Sequence, residues 1–142
     1  MSTAVWMQRC LELAAQGLGR TAPNPMVGAV ILRDGEVLSE GWHRAPGTAH
    51  AELDALNQLG GKAEGATMVV NLEPCCHQGR TPPCTDAIIA SGIKRVIVGM
   101  VDPDERMQGQ GIAILEAAGV SVEVGVEEEA CRTLNHAYLS AK

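Results

Sequence analysis

TMVVNLEPCCHQGRTPPCTDAIIASGIKRVIVGMV, residues 67–101, is the stretch that decides the fold. Short apolar runs rich in β-branched residues stand at its two ends, Thr67–Asn71 and Arg95–Val101, and Thr85–Ser91 between them reads as a helix. A strand–helix–strand order implies two parallel strands joined by a right-handed crossover. The alternation continues outward, with a helix from about Ala49 to Leu59 before it and, after it, helix Gln108–Ala118, strand Ser121–Val124 and helix Glu127–Ala141. Gly60-Gly61, Gly92, Gly119 and Gly125 fall where helices must end or the chain must turn.

Toward the N-terminus the pattern differs. From Ala4 to Gly17, Val5, Met7, Cys10, Leu11 and Ala14 recur near helical spacing, with Thr3 as the expected cap. Val27–Leu32 and Glu36–Trp42 flank Arg33-Asp34-Gly35, a strong hairpin signal that adds two antiparallel strands. The expected architecture is a three-layer α/β/α domain with a mixed sheet of about five strands. No repeat, linker or low-complexity stretch interrupts the chain, so residues 1–142 read as one domain.

Composition agrees with a globular chain, at 142 residues, 46% hydrophobic and 20% charged. A chain of that length buries roughly 68–70% of its unfolded surface, enough for a core. The net charge is −6, and the basic residues are scattered apart from Lys94-Arg95, so no stripe exists to track a phosphate backbone. Two Trp, one Tyr and no Phe leave little surface on which bases could stack. Polymeric nucleic acid and a membrane are therefore not the expected partners. The opening MSTAVWMQRCLELAA lacks the basic and apolar regions of a secretory signal, which favours the cytoplasm. With that compartment, five cysteines point to a metal or a reactive thiol rather than to disulfides.

His50-Ala51-Glu52, Pro74-Cys75 and Cys84 carry the chemistry. One imidazole and two thiolates make a three-ligand zinc set that leaves a tetrahedral corner for water, as in catalytic sites. The pattern H-x-E with a later P-C and C matches zinc deaminases, in which the Glu moves protons and is not a ligand. Residues two apart on a helix point about 200° apart, so His50 and Glu52 can share a pocket only where a helix is just beginning. Cys84, at a helix start behind Pro82-Pro83, is expected to have a lowered thiol pKa. Cys10 and Cys131 read as core residues, and Cys76 as a spectator beside a ligand. Gly109-Gln110-Gly111 lacks the third glycine of a dinucleotide fingerprint and reads as a tight turn. His43 and His77 read equally as pocket residues or as solvated surface histidines. The loop 76–83 is expected to project His77, Arg80 and Thr81 over the pocket, with Arg80 suited to a phosphate or carboxylate.

TAPNPMVGAVI (21–31), GWHRAPGTAHAEL (41–53), LEPCCHQGRTPPCTDAI (72–88) and, more loosely, VDPDERMQGQGI (101–112) resemble the pyrimidine deaminase domain of bacterial riboflavin biosynthesis, a branch of the cytidine-deaminase superfamily. The eight residues between Cys75 and Cys84 set this branch apart from deaminases with P-C-x-x-C. The resemblance implies a cytidine-deaminase-like fold and hydrolysis of 2,5-diamino-6-ribosylamino-4(3H)-pyrimidinone 5′-phosphate with release of ammonia. It implies zinc on His50, Cys75 and Cys84, with Glu52 as acid and base. Asn24, His43 and His77 would hold the pyrimidine and ribose, Arg80 would face the phosphate, and Asp102 and Asp104 would border that end. Asp104 stands where the family commonly has Asn. The resemblance further implies a dimer or tetramer, and a reductase, fused or separate, that acts next. Two alternatives stay open: a zinc deaminase of another base or nucleoside (cytosine, cytidine, guanine or a pterin-like ring), and a structural zinc module closed by a fourth ligand such as Cys76 or His77.

Overall fold

The computed structural model describes residues 3–76, 83–104 and 108–136. The chain runs α1 (Thr3–Ala15), β1 (Gly28–Arg33), β2 (Glu36–Trp42), α2 (Ala51–Asn57), β3 (Thr67–Val70), α3 (Cys84–Ser91), β4 (Arg95–Val98), α4 (Gln110–Ala117), β5 (Ser121–Val124) and α5 (Glu128–Leu134). The five strands lie in the order β2-β1-β3-β4-β5. β1 pairs antiparallel with both β2 and β3, whereas β3, β4 and β5 run parallel. The mixed sheet expected from the sequence is present, and its parallel half is the strand–helix–strand stretch that begins at Thr67.

Period-two alternation divides the core between the two faces of the sheet. Ala29, Ile31, Met68, Val70, Val96 and Val98 point to one side and pack with Ala55 and Leu56 of α2, Ile88 of α3 and Leu115 of α4. Val30, Val69 and Ile97 point to the other side and pack with Met7, Cys10 and Leu13 of α1 and Cys131 of α5. Strands covered on both faces have no polar face to show, which is why β3 and β4 read as continuous apolar runs. Cys10 and Cys131 are fully buried, as core residues should be.

The hairpin turn is the two residues Asp34-Gly35, since Arg33 already pairs with Glu36. Both turn residues have positive φ, 54° and 80°, the backbone that a two-residue turn needs to match strand twist. Gly41 of β2 serves a different purpose. A Cβ there would run into the carbonyl of Ala51 and the amide of Ala55, so its absence lets the first turn of α2 lie directly on β2.

Some boundaries differ from the sequence expectation. α2 and α4 are shorter at both ends, and Thr3, expected as a cap, is itself helical. Glu127, expected to open the last helix, has φ 55° and caps it instead, because a left-handed residue cannot continue a right-handed turn. The expected extension of that helix to Ala141 lies outside the described residues beyond His136.

Candidate active site

The site forms where the first turn of α2, the segment after β3 and the start of α3 meet. His50 is the N-cap of α2, with extended backbone at φ −66° and ψ 162°, and Glu52 is the second helical residue. Because His50 stands outside the helix, the usual angular separation of residues two apart does not apply, and both side chains reach one place. A clamp holds this turn to β2: Asp54 Oδ2 accepts from the Trp42 amide at 3.1 Å and from Arg44 at 2.8 Å. The Arg44 guanidinium also lies 4.4 Å from the centre of the Trp42 ring.

Cys75 follows β3, and Cys84 is the first residue of α3, behind Pro83 as its N-cap. His50 Nδ1 lies 3.5 Å from the sulfur of Cys75 and 3.5 Å from that of Cys84. The three donor atoms all fall within 4.8 Å of one another. A tetrahedral zinc ion, with Zn–N of about 2.0–2.1 Å and Zn–S of about 2.3 Å, sets its nitrogen and sulfur ligands roughly 3.5 Å apart. The donor set and its spacing therefore fit zinc. The Cys84 amide donates to Cys75 Sγ at 3.3 Å and the Thr85 amide to the Cys75 carbonyl at 3.1 Å, fastening one sulfur-bearing segment to the other.

The sulfurs do not titrate as the sequence suggested. Cys75, not Cys84, is pushed down, to about 4, chiefly by the hydrogen bond it accepts from the Cys84 thiol, with burial opposing and His50 adding. Cys84 is raised well above the usual thiol range, first by that same bond and then by burial. That bond and burial outweigh the helix start at Cys84, and a zinc ion held by the two sulfurs would displace the proton they share. Glu52 is 3% exposed. Burial first, and the negative charge of Cys75 second, push its carboxyl up to about 7.

His43 is buried, which settles against a solvated surface role. Its ring packs edge-on against His50, with centroids 5.3 Å apart. Ala49 O can only accept, so His43 Nδ1 donates to it at 3.1 Å, and Nε2 accepts from Asn24 Nδ2 at 3.1 Å. Burial lowers the His43 pKa and keeps the ring neutral, as this bonding requires. Asn24 thus joins the cluster through His43. Asp102 and Asp104 lie after β4, where Asp102 Oδ1 accepts from the Asp104 amide at 2.9 Å. Glu73 links them to the site, its Oε1 accepting from the Asp102 amide at 3.1 Å two residues before Cys75. His77, Arg80 and Thr81 lie outside the described residues. Cys76 is half-buried and stands apart from the three-residue group, which has no fourth member among the described residues.

Sequence reasoning missed three buried polar residues around the site: Glu73, Asn71 and Asn135. Glu73 Oε1 also accepts from the Gly109 amide at 3.0 Å and Oε2 from that of Ile112 at 3.2 Å, so this carboxylate caps α4. Gly109, at φ 88°, is the left-handed N-cap there, which agrees with a tight turn rather than a nucleotide loop. The one signal for Glu73 was its place beside Pro74-Cys75, and nothing local names its partners.

Residues 1–100 match the cytidine and deoxycytidylate deaminase zinc-binding region. The chain is 54% identical over 138 residues to riboflavin biosynthesis protein RibD of Synechocystis, covering 97% of this chain and 38% of that protein. It is 43% identical to the diaminohydroxyphosphoribosylamino-pyrimidine deaminase of Buchnera aphidicola, covering 97% of this chain and 94% of that one. Among solved structures, Acinetobacter baumannii RibD superposes with a TM-score of 0.93 at 46% identity, over 98% of this chain and 39% of that one. The chain thus spans little more than a third of the RibD proteins it matches and nearly all of the Buchnera deaminase. No helix among the described residues is long and apolar enough to cross a membrane. The matched region contains the imidazole, both sulfurs and the buried carboxyl described above, and the chain belongs to the zinc-binding cytidine and deoxycytidylate deaminase family, enzymes that hydrolyse an exocyclic C–N bond.

Proposed function

We propose that the chain deaminates 2,5-diamino-6-ribosylamino-4(3H)-pyrimidinone 5′-phosphate by hydrolysis, releasing ammonia and leaving the pyrimidinedione. The triangle of His50 Nδ1 and two cysteine sulfurs with a buried carboxyl beside it carries the chemistry of this reading. Identities of 54% and 43% to RibD of Synechocystis and the Buchnera deaminase support the substrate. His50, Cys75 and Cys84 hold zinc, which supplies a Lewis acid that activates water at neutral pH. Glu52 takes one proton of the attacking water and gives it to the ring nitrogen, then takes the second from the hydroxyl so added and gives it to the leaving amine. A carboxyl poised near neutrality suits transfer in both directions.

Asn24 and His43 orient the pyrimidine. Asn24 spends Nδ2 on His43, which leaves Oδ1 to accept from a ring substituent. By the family resemblance, His77, Arg80, Thr81, Asp102 and Asp104 serve the ribose and phosphate end. The protein works in the cytoplasm as a single deaminase domain within a homo-oligomer, a dimer or tetramer, and passes its product to a reductase, fused or separate.

Zinc analysis with an ammonia assay on the diaminopyrimidine ribotide, and on cytidine as comparison, tests the reading. One zinc per chain, ammonia from the ribotide and little from cytidine are expected. Glu52→Gln should keep zinc and lose turnover by about 10²–10⁴-fold. Preference for cytidine would overturn the substrate, unchanged turnover would overturn the role of Glu52, and zinc without ammonia from either compound would indicate a structural module.

A further inference from the structure

The segment that presents Asn24 is poor in backbone hydrogen bonds of its own. Pro23 and Pro25 have no N–H, and the Asn24 amide turns back to Thr21 O at 2.6 Å. What holds the segment is Met26. Its amide donates to Asn135 Oδ1 at 2.7 Å, and its carbonyl accepts from Asn135 Nδ2 at 2.8 Å and from Asn71 Nδ2 at 3.2 Å. Asn71 Oδ1 in turn accepts from the Gly28 amide at 2.8 Å. Both asparagines are buried, at 0% and 3% exposure, so a lost partner there leaves a polar group without water to replace it.

Asn135 is the C-cap residue of α5 and 109 residues from Met26 in sequence. With one side-chain amide it satisfies both polar backbone atoms of one residue, as a neighbouring strand would. That residue lies between two supports of His43: Asn24, which donates to the ring, and Val27, whose carbonyl accepts from the His43 amide at 3.1 Å.

We infer that Asn135 is a positioning residue for pyrimidine binding: by clamping Met26 from α5 it sets the placement of Asn24 and His43. The inference rests on the role given above to those two residues. Asn135 does not reach the reacting atoms, so its effect falls on substrate affinity and not on the chemical step.

The zinc-loaded chain and its variants Asn135→Ala, Asn135→Asp, Asn24→Ala and the Asn24→Ala/Asn135→Ala pair are assayed for ammonia release from the diaminopyrimidine ribotide, with zinc content measured on each. Asn135→Ala should raise KM about tenfold, the equivalent of one hydrogen bond, with kcat within about threefold and zinc unchanged. Asn135→Asp keeps the acceptor for the Met26 amide and should raise KM less; it carries the test if the alanine variant does not fold. In the Asn24→Ala background, Asn135→Ala should add less than about twofold, because the binding group it positions is already gone. A KM unchanged by both Asn135 variants, full additivity in the pair, or a loss confined to kcat and zinc would overturn the inference alone, provided Asn24→Ala itself raises KM. If Asn24→Ala leaves KM unaltered, the reading of Asn24 falls, and this inference with it.

Discussion

Glu73→Gln exchanges one carboxylate oxygen for an amide NH₂ at a place where only acceptors fit. The carboxylate receives three backbone amides, Asp102 and Gly109 on Oε1 and Ile112 on Oε2. In its better orientation, glutamine serves the first two with its oxygen and points a donor at the Ile112 amide; in the other, two amides face a donor. Even the better case loses one charge-assisted bond outright and weakens two, a cost of about 2–4 kcal/mol. At roughly 3–4 °C per kcal/mol for a chain of this size, Tm should fall by about 6–16 °C. Urea unfolding of the zinc-loaded protein, supported by hydrogen exchange at Gly109 and Ile112, measures it. Alanine, which supplies no acceptor, should cost more than glutamine. A loss below about 1 kcal/mol for both, with those amides still protected, would refute the cap. Because Glu73 lies two residues before Cys75, zinc should also be lost more readily from either variant.

Two further outcomes are expected. Glu40 grips Arg9 through Oε2 to Nε at 2.6 Å and Oε1 to Nη2 at 2.9 Å. That pairing with Arg9 holds its carboxyl below the ordinary 4.5, so its contribution is present above that pH and is lost as pH falls through the lower folded value. Glu40→Gln should therefore cost about 0.5–1 kcal/mol at pH 7, a half-exposed pair's worth, and unfolding curves of the two proteins should converge on acidification; a gap that widens in acid contradicts this. Gly41→Ala should cost about 2–3 kcal/mol by forcing α2 off β2. Since the displaced carbonyl belongs to Ala51, between His50 and Glu52, zinc titration should show weakened binding alongside the drop in stability.

Legibility in the sequence followed the range of each interaction. The hairpin at Asp34-Gly35 and the apolar runs of β3 and β4 depend on local backbone preference and on which faces are covered, and a short window records both. The group His50, Glu52, Cys75 and Cys84, which the fold brings together, stood out because its residue types are rare in combination. Glu127 shows the limit of local reading: glutamate favours a helix start by charge, yet the turn out of β5 leaves it at positive φ.

By itself, then, the amino-acid order determined the layered mixed sheet, the residue types that could ligate a metal and the carboxyl two residues from the imidazole. Only the folded chain decided that the sulfurs of Cys75 and Cys84 meet at the His50 ring, that His43 is buried beside it, and that Glu73 and Asn135 satisfy backbone amides remote from them in sequence. The physical reason is that apolar periodicity is written along a segment, whereas a buried polar atom is satisfied by whatever donor or acceptor the fold brings to it, and Met26 and Asn135 carry no mark of each other across 109 residues.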